Sequence, residues 1–590
     1  MYMDLRSFLD DLERRGQLVR VGVEVDPNQE LTVIQHRVIA AGGPALLFER
    51  VKGSPYRVAM NLFGTPERVA LAFGGSPAEM GARLVRVAHR MMPPSLTQVW
   101  RLRHDLRRLL PIRMRSVRQG PILDQYLQPP DLMQLPVLTC WPDDGGPFFT
   151  WPLVHTVDPH NGQGNLGIYR LQRFDGAATG MHWQIEKGGG FHFHKAAQMG
   201  RALPVSVILG GPPALTMAAV APLPEGLDER LLAAYLMGRP LEVVRRSTTG
   251  HRIPARAEFV LEGEVRPGDM RLEGPFGDHF GHYSTAAEYP VFRVHRLLAR
   301  KDAIYPATVV GKPVQEDYYI GEALTAFSLP LLQLIKPAVA DLWAYPEAGF
   351  HALAAMAVHQ RYPREALKFT LGMLGEGQVS LTKVMITVDA EVNVRDFSAV
   401  SRAIHRHLIP DGLHLLTPTA QDTLDFTGPA MNTGSRLIMI ATRNGDTGPV
   451  RTHPPPPPPA VNALHPRVQA VAALGPAFLV VQVDDGFDDL ETLAETLRRH
   501  EVTRQYLFHV VVSADVPLDD PVLTLWGWFT RFDPDADIHP AGRRIQGNRL
   551  LFDFPITIDA RWKKGYPLPV AFDPAVERRV TERWRSYGIG

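Results

Sequence analysis

The sequence predicts an α/β (α+β) protein of several domains, and three observations carry that expectation. The chain has 590 residues, several times the length of a typical single domain. Near residue 120 its texture changes from helical to short apolar stretches separated by Gly, Pro and Asp. Beyond that, a strand, acidic turn, helix, strand pattern occurs twice in the same order, once over Lys383–Leu416 and once over His509–His539. The expected boundaries are a mixed α/β domain over 1–118, a central strand-rich domain over 119–318, a connecting helix over 319–345, and a C-terminal α/β domain over 346–590.

Each element has a local cause. Leu5, Phe8, Leu9 and Leu12 recur at helical spacing and Gly16 sits where a C-cap falls, so the chain opens with a short amphipathic helix. Val19, Val21, Val23 and Val25 then alternate with Leu18, Arg20, Gly22 and Glu24, the period of a half-buried strand. The stretch from about 78 to 118 is helical and rich in arginine, which reads first as a solvated face and second as a binding patch. Short strands with Gly-rich turns in the central region predict a barrel or sandwich. Leu324, Phe327, Leu331, Leu334 and Ile335 mark the connecting helix. Pro454 to Pro459 has no backbone donors and favours polyproline II, so it is expected as a surface linker, or as bait for an aromatic-groove partner if the protein is an adaptor.

Composition removes several function classes. Lys plus Arg total 63 against 62 Asp plus Glu, a formal charge of +1, so there is no electrostatic footprint for nucleic acid. The single cysteine, Cys140, excludes disulfide frameworks and multi-Cys metal sites. No signal peptide and no transmembrane run is visible. The expectation is a cytoplasmic protein, with peripheral membrane contact left open.

The chemistry concentrates in a few segments. Glu273-Gly274-Pro275-Phe276-Gly277-Asp278 sets two carboxylates around turn formers that can fold them toward one point, the arrangement that holds one acid protonated beside an ionised partner. An acidic surface turn is the plainer reading. On the stretch Asn165 to Gln172, Arg170 suits a planar carboxylate, or a structural ion pair. Lys187-Gly188-Gly189-Gly190 is a donor-rich loop beside a cation. Asp228 reads as an N-cap and Glu229 as the first helical residue; paired with an Asn carbonyl, Glu229 would make a hard oxygen site for Mg²⁺ or Mn²⁺. His192-x-His194 and His279-x-x-His282 lack a framing third zinc ligand.

Taken in order, Leu138 to Pro142, Asn165 to Gln172, Gly180 to Trp183, Lys187-Gly188, Pro204 to Ser206, Asp228-Glu229, Glu258 to Gly263 and Glu273 to His279 resemble the UbiD family of decarboxylases that depend on prenylated flavin mononucleotide. The resemblance implies a three-domain architecture with a central flavin-binding split β-barrel. It implies that Asn165 and Glu229 hold a divalent ion, Mn²⁺ or another, against the cofactor phosphate, with K⁺ as a further candidate ion. Glu186 stands where several relatives have a third metal contact, His. Asn165, Ile168, Tyr169, Arg170, His182, Trp183, Gln184, Lys187 and Gly188 fall in cofactor segments, and Lys383 resembles a further phosphate contact. Arg170, Glu273 and Asp278 match the family's Arg-acid-acid triad: Arg170 orienting the substrate carboxylate, Glu273 holding Arg170, Asp278 returning a proton.

Asp422 to Pro429, Asn432 to Ser435, Trp526 to Asp537 and Ile556 to Arg561 are similar to the long menaquinone-biosynthesis decarboxylases of the futalosine route. The reaction implied is non-oxidative loss of CO2 from a hydroxynaphthoate-type acid, prenylated or not. Alternatives are a polyprenyl-4-hydroxybenzoate of the ubiquinone pathway, another aromatic or acrylic acid, or a non-catalytic flavin-binding assembly protein. A separate flavin prenyltransferase is implied as cofactor supplier, and a homo-oligomer as the working form.

Overall fold

The computed structural model describes residues 1–91, 95–184, 188–224, 226–245, 247–443 and 451–590. The chain divides into two compact units, the first comprising 1–278, 282–331 and 569–590, the second 279–281 and 332–568.

The first unit opens with the expected helix, Leu5–Arg14, which buries Leu5, Phe8, Leu9 and Leu12 and is capped by Asp4 accepting the Ser7 N–H. Its four-stranded sheet runs Leu18–Val25, Ala45–Val51, Arg57–Met60, Ile304–Pro306. The arginine-rich stretch forms the helices Pro77–Arg90, Leu96–Arg101 and Arg103–Leu109, then a short strand, Met114–Val117, that joins a three-stranded sheet. The central sheet is antiparallel, ordered Ala178–Gly180, Ala287–Ala299, Phe259–Glu273, Leu203–Leu209, Leu153–Val157, Gly164–Ile168, with Gln125–Leu127 pairing onto Ala287–Ala299. The stretch carrying Arg170 is a strand as far as Ile168 and again at Leu171–Gln172, which pairs with Phe148–Phe149, and Arg170 lies in the break between them. Phe259–Glu273 delivers Glu273 as its last residue. Residues 569–590 add Phe572 stacked on Trp141 at 5.0 Å and the helix Pro574–Arg583.

The second unit holds two five-stranded sheets with one topology. The first is ordered Val339–Ala344, Leu353–Val358, Val384–Asp389, Thr433–Ala441, Leu413–Ala420; the second Val468–Leu474, Phe478–Val483, Phe508–Val512, Arg549–Ala560, Ile538–Gln546. In both, successive pairings are antiparallel, parallel, parallel, antiparallel. The two repeated passages seen in the sequence fall on equivalent strand, helix, strand steps, with helices at Phe397–His407 and Pro521–Phe529. One apolar core serves both copies: Phe397 of the first stacks on Phe478 of the second at 5.6 Å, and Trp528 lies edge-on to Phe478 at 4.8 Å. The proline run lies in coil, where Tyr506 Oη donates to the Pro456 carbonyl at 2.9 Å. Among the described residues no helix is long and apolar enough to cross a membrane.

Beneath the central sheet His251 meets Ser206 Oγ at 3.0 Å and the His155 ring at 4.7 Å between centroids. Burial, and secondarily Arg230, pushes the His251 pKa down to about 4. Unfolded, it returns to ~6.5, so between those values only the unfolded chain takes up the proton, and stability present above pH ~6.5 is lost as pH falls toward 4. His251→Asn is expected to flatten this acid limb by on the order of 3 kcal/mol. Urea midpoints at pH 4.5 and 7 measure it; an acid limb as steep as that of the parent chain would refute the assignment.

Candidate active site

Arg170 is the centre of the first unit's polar interior. Its side chain is 7% exposed, yet every face of the guanidinium is engaged. Nε donates to Glu273 Oε1 at 3.2 Å, Nη1 is held by Asp278 Oδ2, Nη2 donates to Ser284 Oγ at 2.9 Å, and the Phe276 ring lies 4.9 Å from Cζ. Glu273, with no exposed side-chain surface, shares Oε1 with His182 Nδ1 at 2.9 Å. His182 rests against Tyr289 at 4.3 Å, and Gln184 Nε2 lies 3.1 Å from its Nε2. Burial, reinforced by Arg170, lowers the His182 pKa, so it works as a neutral imidazole. The second Glu273 oxygen is buried without a hydrogen-bond partner among the described residues. It sits against the Gly180 backbone, where any Cβ would come within 2.3 Å.

The loop that turns from Glu273 to Asp278 is shaped above all by Asp144, which the sequence did not single out. Asp144 Oδ2 accepts the N–H groups of Cys140 and Trp141, each at 2.9 Å, and its Oδ1 accepts that of Gly277 at 2.8 Å. Burial raises the Asp144 pKa to about 7, against the pull of those N–H groups and of Arg170. Gln172 Oε1 accepts from Gly274 N at 2.8 Å while its amide donates to the Gly145 carbonyl at 2.6 Å. The Trp141 ring lies on Gly277 and Gly311, where added Cβ atoms would stand 2.2 and 2.5 Å from it. The short pair Phe276–Gly277 with Tyr283–Ser284 closes the loop, and Asp278 N donates to the His282 carbonyl at 3.2 Å. The only sequence signal for Asp144 is its place in an Asp-Gly-Gly turn after Trp141.

The expected cofactor residues gather on the neighbouring strand and helix. Asn165 Nδ2 lies 3.4 Å from Tyr169 Oη, which also accepts the Gly189 N–H at 3.2 Å. A Cβ on Gly188 would come within 2.1 Å of Asn165 Oδ1, and one on Gly189 within 2.7 Å of Trp183 Nε1. Trp183 Nε1 is itself buried with no hydrogen-bond partner among the described residues. Ile168 packs, half-buried, at the edge of the apolar core. A glycine-walled cradle beside an orphaned buried donor fits a bound polar group such as a flavin. Glu186 and Lys187 lie outside the described residues.

Glu229 begins the helix Glu229–Met237, and Asp228 caps it by accepting the Arg230 N–H. Its Oε2 accepts the Leu166 N–H at 2.7 Å, one peptide from Asn165. Burial raises the Glu229 pKa to about 7. Asn165 and Glu229 supply two hard oxygen donors, which suit a divalent ion in kind; among the described residues no group of three His, Cys, Asp or Glu completes a set. Lys383 belongs to the second unit, where its fully buried Nζ pairs with Asp425 at 2.9 Å over the Phe532 ring. A phosphate there would have to compete with Asp425.

Three family models of the 3-octaprenyl-4-hydroxybenzoate carboxy-lyases match the chain: the N-terminal domain at 9–88, the Rift-related domain at 115–313 and the C-terminal domain at 318–441. The chain is 40% identical over 585 residues to a Chlamydia pneumoniae protein named as a subunit of 4-hydroxybenzoate decarboxylase, covering 99% of this chain and 98% of that one. An uncharacterised Chlamydia trachomatis protein is also 40% identical, over 99% of both chains. Among solved structures, the UbiD-class enzyme HmfF of Pelotomaculum thermopropionicum in complex with FMN matches at TM-score 0.63 and 27% identity, over 74% of this chain and 94% of that one. The closed form of the Sedimentibacter hydroxybenzoicus vanillic acid decarboxylase shares the fold at TM-score 0.68 and 24% identity, over 78% and 96%. With a buried Arg-acid-acid cluster beside a glycine-walled cradle, and with these models matching it across most of its length, the chain belongs to the UbiD family of carboxy-lyases.

Proposed function

We propose that this chain removes CO2 without oxidation from an aromatic carboxylic acid, with prenylated FMN as cofactor and with Asn165 and Glu229 as the residues that would hold a divalent ion. The observation that carries the reading is Arg170, buried and shared between Glu273 and Asp278. HmfF has been solved with FMN and, in an evolved dimeric form, with prenylated FMN, which supports the cofactor, and the glycine-walled cradle with the unsatisfied Trp183 Nε1 supports its place. Bound there, prenylated FMN supplies the electron sink that no side chain offers.

The residues of the chain then have separable tasks. Arg170 can take a planar carboxylate through two parallel hydrogen bonds. Glu273 and Ser284 keep the guanidinium in place while the substrate displaces Asp278 from Nη1. That exchange removes a cation from Asp278 and sets a second anion beside it, and both changes favour its protonated form. Asp278 thereby acquires the proton that replaces CO2 on the ring carbon when the carbon–carbon bond breaks. Neutral His182 holds Glu273 without adding a charge that would draw the substrate carboxylate away from Arg170.

For the acid itself we propose a hydroxynaphthoate-type substrate on the route to menaquinone, supported by the likeness of 422–429, 432–435, 526–537 and 556–561 to that long branch. A second reading, a 4-hydroxybenzoate, is favoured by the name of the Chlamydia pneumoniae relative. Co-expression with a flavin prenyltransferase followed by parallel assay of naphthoate and benzoate acids separates them. Turnover of the benzoate alone would overturn the naphthoate reading.

Asp278→Asn is expected to keep a full flavin complement and lose about 10² to 10⁴ in turnover, the usual share of a general acid. Undiminished CO2 release from the purified variant would remove Asp278 from the mechanism. Glu229→Ala is expected to strip the flavin, because Glu229 would hold the ion that helps retain the cofactor. The visible absorption spectrum reads this without turnover, and an undiminished flavin band would count against that role.

A further inference from the structure

The charge of +1 on the whole chain hides an uneven distribution. Residues 78–118 hold ten arginines against Glu79 and Asp105, a local charge of +8 that leaves −7 for the rest of the chain. The stretch lies within the first unit. In the helix Pro77–Arg90, Met80 and Val87 are buried and Leu84 packs against the core, all along one face. Arg83, Arg86 and Arg90 recur at i, i+3 and i+7 along another. Leu109, Ile112, Met114 and Val117 hold the rest of the stretch to the same core.

The outward positions are of two kinds. Arg86 and Arg115 pair with Glu79 and Glu242, but Arg83, Arg90, Arg101, Arg107, Arg113 and Arg118 form no ion pair among the described residues. Trp100 and Leu110, in contrast, are large apolar side chains left 66% and 69% exposed. The helices Leu96–Arg101 and Arg103–Leu109 meet at Leu102. Across that joint Trp100, Arg103, Arg107 and Leu110 follow at i, i+3, i+7 and i+10, all exposed, so the stripe runs apolar, basic, basic, apolar. The Arg103 guanidinium lies 4.2 Å from the Trp100 ring centroid and Nη1 donates to the Trp100 carbonyl at 3.0 Å. Unpaired guanidinium groups alone suit any polyanion. A base can stack on an indole, but Leu110 gains nothing from a nucleic acid. At a bilayer both apolar groups enter the headgroup boundary while the arginines, on their long stems, reach the lipid phosphates.

We propose that the helices Pro77–Arg90, Leu96–Arg101 and Arg103–Leu109 form a docking surface for an anionic lipid bilayer, with Trp100 and Leu110 entering the headgroup region. This stands whether or not the decarboxylase reading holds. The test is sedimentation of the full chain with vesicles of phosphatidylcholine alone, or mixed in equal parts with phosphatidylglycerol. Salt is varied from ~0.1 M to ~1 M, which shortens the Debye length from about 10 Å to about 3 Å. The chain is expected to bind the mixed vesicles at low salt, to leave them at high salt, and to ignore the neutral ones. Arg101→Ala with Arg107→Ala should lower the partition about thirtyfold, about fivefold for each arginine lost from an anionic surface. Trp100→Ala should lower it several-fold with the charge untouched. Both variants should keep the parent thermal midpoint, because all three side chains are exposed. Absence of binding to the mixed vesicles would overturn the proposal, as would equal binding to the neutral ones. Parent partition in Trp100→Ala would reduce the surface to a general polyanion patch and overturn it too. So would poly(U) RNA bound more tightly than the mixed vesicles at the same salt.

Discussion

The interior of the first unit is organised by the cost of burying Arg170. A guanidinium cannot be neutralised at ordinary pH, so removing it from water is tolerable only when its donors are matched. Here two carboxylates, a serine hydroxyl and an aromatic face do so. Several features that look unrelated in the sequence follow from that requirement. Gly180 has no Cβ because Glu273 needs the space, and Gly277 has none because the ring of Trp141 supports the turn that presents Asp278. Asp144 is buried against its own electrostatic preference because the N–H groups of that turn need an acceptor. In the mechanism proposed for it, one of its carboxylates gives way to a substrate carboxylate, so that Arg170 is never left unpaired.

How much of this could be read from the chain depended on distance along it. The opening helix, the Asp228 cap and the repeated strand, helix, strand passages are set by neighbours within a few turns, and their residue patterns are visible directly. Glu273 and Asp278 were legible as a pair because the turn formers between them are local. Asp144, which shapes that turn, acts through backbone N–H groups and leaves no side-chain pattern to find. The Phe280 carbonyl accepts from Trp526 Nε1 at 3.0 Å across 246 positions, and no periodicity links the two. Lys383 pairs with the buried carboxylate of Asp425, a partner that no local pattern announces.

The duplicated sheets of the second unit share one core on one face and each carry a cluster of their own on the other. Each copy leaves an apolar face, and Phe397, Phe478 and Trp528 join those faces in one cluster. A copy joined in this way is held chiefly by the hydrophobic effect, which is non-directional, so its surface loops and helix ends are free to acquire other tasks.

The return of 569–590 to the first unit governs the order in which the molecule can be assembled. Tyr587 Oη donates to Glu30 Oε1 at 2.6 Å, closing a contact across 557 positions. During synthesis, the unit that begins first is therefore completed last, after the whole of 332–568 has been made. The second unit is in effect an insertion, free to fold while its host waits with Glu30 and Trp141 uncovered. Long-range closure of this kind is slow and leaves apolar surface exposed in the interim.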